Sequence, residues 1–331
     1  MIRLVRVEVR RILARRIPVL AVLAALAVSL MALFGVHQMA VSVNQQRAMA
    51  HELLDEVAAS WEPAPLEEYQ ACVRDQARAR QDPAQGDVDY GCEQLRRAPV
   101  LEDFIQDLPS MAEQYRELLG YLALPFLFLP LAVGSTSVAA EFAHRTMGAW
   151  LPFVPRRVPV LFAKVLAAAL LAVPVVGTGL TVILLGVPAL FRHHGIDDGV
   201  TGAEWVSLAW MALRVLGLGL AAGAFGAAAA FVLRHSGLVI GMMVGYLVLV
   251  EGLLASFYPS SGRWLLGNNI QAVVEHGTRW LTWPTFCDDV TVSCDPVVHE
   301  ISLTHGVVVL LVVLVAVLGL ALLRFVRSDV E

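Results

Sequence analysis

Residues 141–164 read EFAHRTMGAWLPFVPRRVPVLFAK, and they include the only lysine of the chain, Lys164. The sequence on either side is almost wholly apolar, Leu118–Ala140 before the stretch and Val165–Phe191 after it. A hydrocarbon core ~30 Å thick takes about 20 residues of helix, so each flank is long enough to cross a bilayer. The polar stretch is then the connector between two crossings. The same criterion picks out Ile17–Val36, Trp205–Leu233, Ser236–Tyr258 and Ile301–Leu323. The chain carries 57% hydrophobic and 16% charged residues with a mean hydropathy of +0.66, against about 25% charged in a soluble domain. It reads as an all-α polytopic membrane protein with six transmembrane helices.

Charge orients the spans, because Lys and Arg accumulate in segments that stay inside. With both termini cytoplasmic, the inside segments hold thirteen bases against four acids. The two shorter outside loops hold three arginines against eight acids, and the long loop from Gln38 to Glu117 holds seven arginines against sixteen acids. The net charge of -5 thus divides into a basic cytoplasmic face and an acidic exterior. A cleaved signal peptide is disfavoured for the first span, since the apolar run exceeds the ~7–15 residues of a signal core and no A-x-A site follows it.

All four cysteines, Cys72, Cys92, Cys287 and Cys294, fall in segments assigned outside. An even number in an oxidising compartment reads as disulfides, and the nearest pairing is Cys72–Cys92 and Cys287–Cys294. A metal site is disfavoured because paired C-x-x-C spacing is lacking.

These readings divide the chain as follows. Residues 1–16 place Ile2, Val5, Val9, Ile12 and Leu13 at helical spacing among arginines, an amphipathic helix on the cytoplasmic membrane surface. Residues 17–37 are the first span, 38–117 an extracellular helical subdomain, 118–140 the second span and 141–164 the cytoplasmic connector. Residues 165–258 hold spans three to five, 259–300 an extracellular, partly re-entrant segment rich in tryptophan, and 301–331 the sixth span with a short cytoplasmic tail.

Several chemistries are weighed and set aside. A phosphate-cradling loop needs Gly-Lys followed by Ser or Thr, whereas Lys164 stands between Ala163 and Val165. This chain is therefore read as no enzyme, binding no cofactor or metal itself and no nucleic acid. The stretch GLGLAAG, Gly217–Gly223, lies inside a span and reads as small residues for close helix packing, including Gly219 and Gly223. RHHGIDD offers His193, His194, Asp197 and Asp198, read as an exposed polar turn. PSSG with a later His305 lacks the setting of a serine nucleophile. Two charges lie within spans, Arg214 and Glu251. They sit at similar depth from the outer ends of their helices, so a mutual ion pair is expected to relieve the cost of burying each.

If the connector is helical, Phe142, Met147, Trp150, Leu151 and Val154 make one apolar face. Here the chain resembles the permease subunits of type-2 ABC exporters, through Glu141, Thr146–Met147, Pro155–Arg156–Arg157 and Lys164 after the second span. Arg145 stands where that family usually has Gly. WLLGNNIQAVVEHG, Trp264–Gly277, is also similar to the family's stretch after the fifth span, and the order of parts matches over nearly the whole chain. The resemblance implies a transmembrane subunit that pairs with a second permease, as a homodimer or a related heterodimer, in a bacterial cell membrane. It also implies two copies of a separate ATP-binding subunit, which would carry ATP and Mg and seat the connector as a coupling helix. The implied contacts are Glu141, Phe142, Arg145, Thr146, Met147, Trp150, Leu151, Arg156 and Arg157. The substrate expected is amphipathic, a drug, lipid or hydrophobic peptide. The alternatives are an ion-coupled secondary transporter using Glu251, or a membrane-anchored sensor or assembly protein displaying the exterior subdomain.

Overall fold

In hydrocarbon a backbone finds no water to bond, so each long apolar run must satisfy its own peptide groups within a helix. In the computed structural model, which describes residues 2–81, 89–105, 110–144, 157–196, 199–254, 257–282 and 297–327, they do so. Among the described residues, six helices are long and apolar enough to cross a membrane: Arg16–Ser60, Met111–Ala143, Arg157–His194, Gly202–Leu233, Ser236–Leu253 and Leu303–Arg327. The protein is a multi-pass, predominantly helical membrane protein.

In chain order, α1 is Ile2–Leu13, α2 Arg16–Ser60, α3 Leu66–Ala79, α4 Met111–Ala143, α5 Arg157–Leu170 and α6 Ala172–His194. Then come α7 Gly202–Leu233, α8 Ser236–Gly245 continuing as a π-helix over Tyr246–Leu254, α9 Leu266–Glu275, β1 Thr278–Thr282, β2 Val297–Ile301 and α10 Leu303–Arg327. The third span is interrupted at Leu171, between α5 and α6. Pro174 lacks the N–H that would bond back to Leu170, which accounts for the break.

Contacts divide the chain into two units. The larger comprises Met1–Gly35, Ser110–Ala189 and Asp197–Glu331. Its core is small-residue packing: α4 crosses α7 where Gly134 meets the Gly223 carbonyl and Gly226 meets Leu131, with no room for a Cβ at either glycine. Gly223 also abuts the Ala168 backbone of α5, and Gly219 faces Val176 of α6. Two of the glycines read as packing residues thus lie at helix crossings, as close approach without a hydrophobic driving force requires. Toward the C-terminal end of α4, Phe142, Phe231 and Phe325 stack edge to face, with centroids 5.8 and 5.0 Å apart, and join α4, α7 and α10.

Between the fifth and sixth spans, α9 packs against α4, α7 and α10 and buries Asn269, Ala272, Val273 and Val274. The Asn269 amide donates to the carbonyls of Arg263 and Leu265 at 3.0 and 2.7 Å. The segment read as partly re-entrant is in part an antiparallel ribbon, β1 with β2 in the register Thr278↔Ile301 to Thr282↔Val297. TRWLT and VVHEI are rich in β-branched and aromatic residues, which favour strands. Trp280 stacks on His299 across the ribbon at 4.9 Å.

The smaller unit comprises Val36–Pro109 and Leu190–Ile196. It contains the second half of α2, which runs on from the first span without a break. No proline occurs between Val36 and Ser60 to stop it. At 1.5 Å per residue a 45-residue helix is ~68 Å long, about twice the hydrocarbon thickness. Helix α3 carries Cys72, bonded to Cys92 on a short 3₁₀ turn, Cys92–Leu95, with Cα atoms 5.7 Å apart. A 3₁₀ turn follows at Leu101–Asp103, and α4 starts at Met111. Ser110 sets that start, its hydroxyl accepting from the Glu113 N–H while Glu113 accepts from the Ser110 N–H. Cys287 and Cys294 lie outside the described residues.

Two outcomes are expected from this packing. Gly226→Leu will force α4 and α7 apart and lower stability by about 3 kcal/mol, the upper end for overpacking, read by thermal unfolding in detergent. Cys72→Ser will open the 20-residue loop and destabilise the smaller unit by about 3 kcal/mol, read as faster proteolysis within residues 61–105.

Candidate functional site

Helix α1 is a run of arginines and apolar residues with one acid, Glu8. Helix α4 ends with Glu141 in its last turn, and α5 carries Lys164 two turns from its start. The fold brings these three side chains together and buries them, leaving Glu8 5%, Glu141 3% and Lys164 2% exposed. The Lys164 Nζ donates to Glu8 Oε1 at 2.9 Å and to Glu141 Oε1 at 2.9 Å, and lies 2.7 Å from Glu141 Oε2. Arg11 stands 3.0 Å from Glu141 Oε1, and Arg15 stands 3.9 Å from it while donating to the Ser137 carbonyl at 3.0 Å. Two carboxylates and three cations therefore close on one another at the base of the 145–156 connector. Taking such groups out of water is costly, and the buried Lys164 offsets that cost by meeting both carboxylates at hydrogen-bond distance.

This alters the reading of the connector. Glu141 turns inward to Lys164. Phe142 packs edge-on to Phe231, with the Arg234 guanidinium 5.3 Å from its ring centre. Arg157 donates to the Phe325 and Val326 carbonyls at 3.0 and 3.1 Å, tying the start of α5 to the end of α10, where helix carbonyls lack internal partners. These three residues make contacts within the chain. Arg145, Thr146, Met147, Trp150, Leu151 and Arg156 lie outside the described residues. Glu8 escaped the sequence reading, although a lone acid in an arginine-rich helix and a lone lysine at the head of a span were both visible signals.

The intramembrane pair expected from depth, Arg214 with Glu251, is not formed. Glu251 Oε1 instead accepts the Gly267 N–H at 2.7 Å, and the neighbouring Tyr246 hydroxyl accepts the Leu266 N–H at 3.2 Å. Together they bind the first turn of α9, where backbone N–H groups are free and carboxylates are favoured. A Cβ at residue 267 would meet the Glu251 carboxylate, so a side chain there would have to displace it. Arg214 lines a different recess, with Arg116, Glu117, Trp210, Glu275 and His276, and its Nε has no hydrogen-bond partner among the described residues. Matching depths left azimuth open, and the π-helix over Tyr246–Leu254 sets the azimuth of Glu251.

Between α4, α7, α8 and α10 lies a cavity of about 520 Å³ walled by Phe128, Leu131, Leu218, Phe225, Leu247 and Leu314 among others. Its volume falls within the range of small-molecule sites, about 300–1,000 Å³. Tyr246 and Leu266 also border it, which sets the polar group at the α9 terminus beside an otherwise apolar wall. In the smaller unit, His37 Nδ1 and His194 Nε2 are 3.0 Å apart, and Asn44 donates to the His194 carbonyl at 3.2 Å. His194 of the expected polar turn is thus engaged with α2, while Asp197 and Asp198 lie outside the described residues. Among the described residues no group of three or more His, Cys, Asp or Glu is placed to hold a metal.

Lys164→Met will leave Glu8 and Glu141 facing each other and cost about 3–5 kcal/mol, measured by thermal unfolding in detergent. Adding Glu8→Gln will recover part of that loss, because the buried repulsion is then removed. No protein-family model, no curated protein and no solved structure matches the chain.

Proposed function

We propose that this membrane protein is the transmembrane subunit of an ATP-driven exporter of the type-2 ABC kind, which it resembles in the order of its parts. The observation that carries the reading is the burial of Lys164 between Glu8 and Glu141. It welds α1, the end of α4 and the start of α5 into one body on both sides of residues 145–156. A force applied to that connector by a soluble partner would move α4 and α5 together as a rigid body.

Other features support the same reading. The sequence has no phosphate-binding loop, so ATP and Mg belong to a separate ATP-binding subunit, in two copies for a paired permease. The inside-out charge bias puts the termini and the 145–156 connector in the cytoplasm and the disulfide-bonded smaller unit outside, on the oxidising side of a bacterial cell membrane. The helices Ser236–Leu253 and Leu303–Arg327 are little buried within the chain, and large side chains such as Met242, Leu249, Val312 and Val315 are exposed on them. They offer surface to lipid and to a second permease. The apolar cavity suits an amphipathic substrate that travels between the helices.

The test is purification of the full chain from its native membrane. A soluble P-loop ATPase is expected to come with it, and Trp150→Asp is expected to abolish that association with the membrane level of the chain unchanged. Phe142→Asp, by contrast, will reduce the amount of folded chain, because Phe142 packs on Phe231. Isolation with no ATPase, together with transport driven by a proton gradient, would overturn the proposal.

A further inference from the structure

The apolar cavity and Glu251 take on a joint meaning once Arg214 is placed elsewhere. In a π-helix the bonded residues are five apart, so Tyr246 and Glu251 stack on one face of the Tyr246–Leu254 segment. Tyr246 lines the cavity, and its hydroxyl accepts the Leu266 N–H, next to the Gly267 N–H that Glu251 accepts. Leu266 lines it too, and the next residue, Gly267, holds Glu251 by its N–H. The carboxylate is therefore held just behind the lining, by the residue that follows Leu266, at a space otherwise walled by leucine, phenylalanine, valine, alanine, isoleucine, methionine and proline. No cationic side chain lies within ion-pair distance of it among the described residues, and Glu251 remains partly exposed.

A carboxylate at the edge of an apolar chamber in a membrane selects by charge. An anion meets repulsion there, and a neutral apolar body gains only burial. A body of apolar surface bearing one delocalised positive charge gains both burial and an ion contact. Such a charge is weakly hydrated, so it loses little on leaving water, and the low dielectric strengthens its attraction to Glu251. We infer that the cavity between α4, α7, α8 and α10 is a binding site for lipophilic organic monocations, with Glu251 as the charge-selecting residue. This names the substrate class of the proposed exporter and rests on that reading for transport. Binding itself needs only this chain.

The test uses two ions of similar shape and opposite charge, tetraphenylphosphonium and tetraphenylborate. The purified full chain is placed in phosphatidylcholine nanodiscs, and binding of each radiolabelled ion is measured by equilibrium dialysis against empty nanodiscs. Saturable binding of the cation, with none of the anion above the blank, is expected. Glu251→Gln keeps an acceptor for the Gly267 N–H but removes the charge, and is expected to weaken cation binding about tenfold or more, the worth of one charged contact. Leu218→Trp fills the cavity at a distance from the carboxylate and is expected to abolish cation binding, with thermal unfolding showing that both variants are folded. Equal binding of the two ions, or unchanged cation binding in Glu251→Gln, would overturn the inference. No ATPase takes part in the measurement, so a negative result leaves the exporter reading standing, and loss of the exporter reading leaves the binding result standing.

Discussion

A single ammonium group held between two carboxylates organises one end of the larger unit. Lys164 belongs to α5, Glu141 to α4 and Glu8 to α1, and loss of the lysine would strand two carboxylates in a nearly dry environment. Arg11 and Arg15 back the Glu141 carboxylate, so the amphipathic α1 is fastened to the bundle by charge as well as by apolar contact. Arg157 extends the fastening to α10 through its last carbonyls. Such a cluster sets relative position more than it adds net stability, because most of its Coulomb energy offsets desolvation. Its value for function lies in that positioning: the two ends of the 145–156 connector emerge from helices that share a locked junction.

The middle of the bundle is held differently. There the contacts are glycine and alanine against backbone, at Gly134, Gly223 and Gly226, with Ala168 and Leu131 opposite. Close backbone approach supplies dispersion energy without polar groups, which suits a setting where lipid offers no hydrophobic drive between helices. At the far end of α8, α9 is anchored by backbone N–H groups to Tyr246 and Glu251. The cavity lies between the tight α4–α7 crossing and this anchored helix. In the inferred site the apolar walls are permissive, and the carboxylate held behind them discriminates.

Much of this was legible in the residues themselves. Apolar run length located six spans because a helix must match hydrocarbon thickness, and that requirement is local. Cysteine spacing indicated Cys72–Cys92, and the glycines at 219 and 223 indicated close packing. The segment after the fifth span, read as partly re-entrant, also holds the ribbon of β1 and β2, whose pairing joins residues apart in the chain. Glu141 and Phe142, contacts implied by the family resemblance, also meet Lys164 and Phe231 within the chain, which helical spacing alone does not reveal.

Sequence alone therefore determined the membrane class, the number of long apolar crossings, the disulfide of the smaller unit and the absence of a phosphate-binding loop. Each depends on the composition or spacing of neighbouring residues. Tertiary structure decided which charges meet. Glu8, Glu141 and Lys164 lie on three helices far apart in the chain, and their meeting depends on helix rotation and crossing. Arg214 and Glu251 were matched in depth, yet a π-helix and the arrival of α9 turned Glu251 to the Gly267 N–H. Depth along a helix is additive along the sequence, whereas azimuth is fixed only when the helices pack.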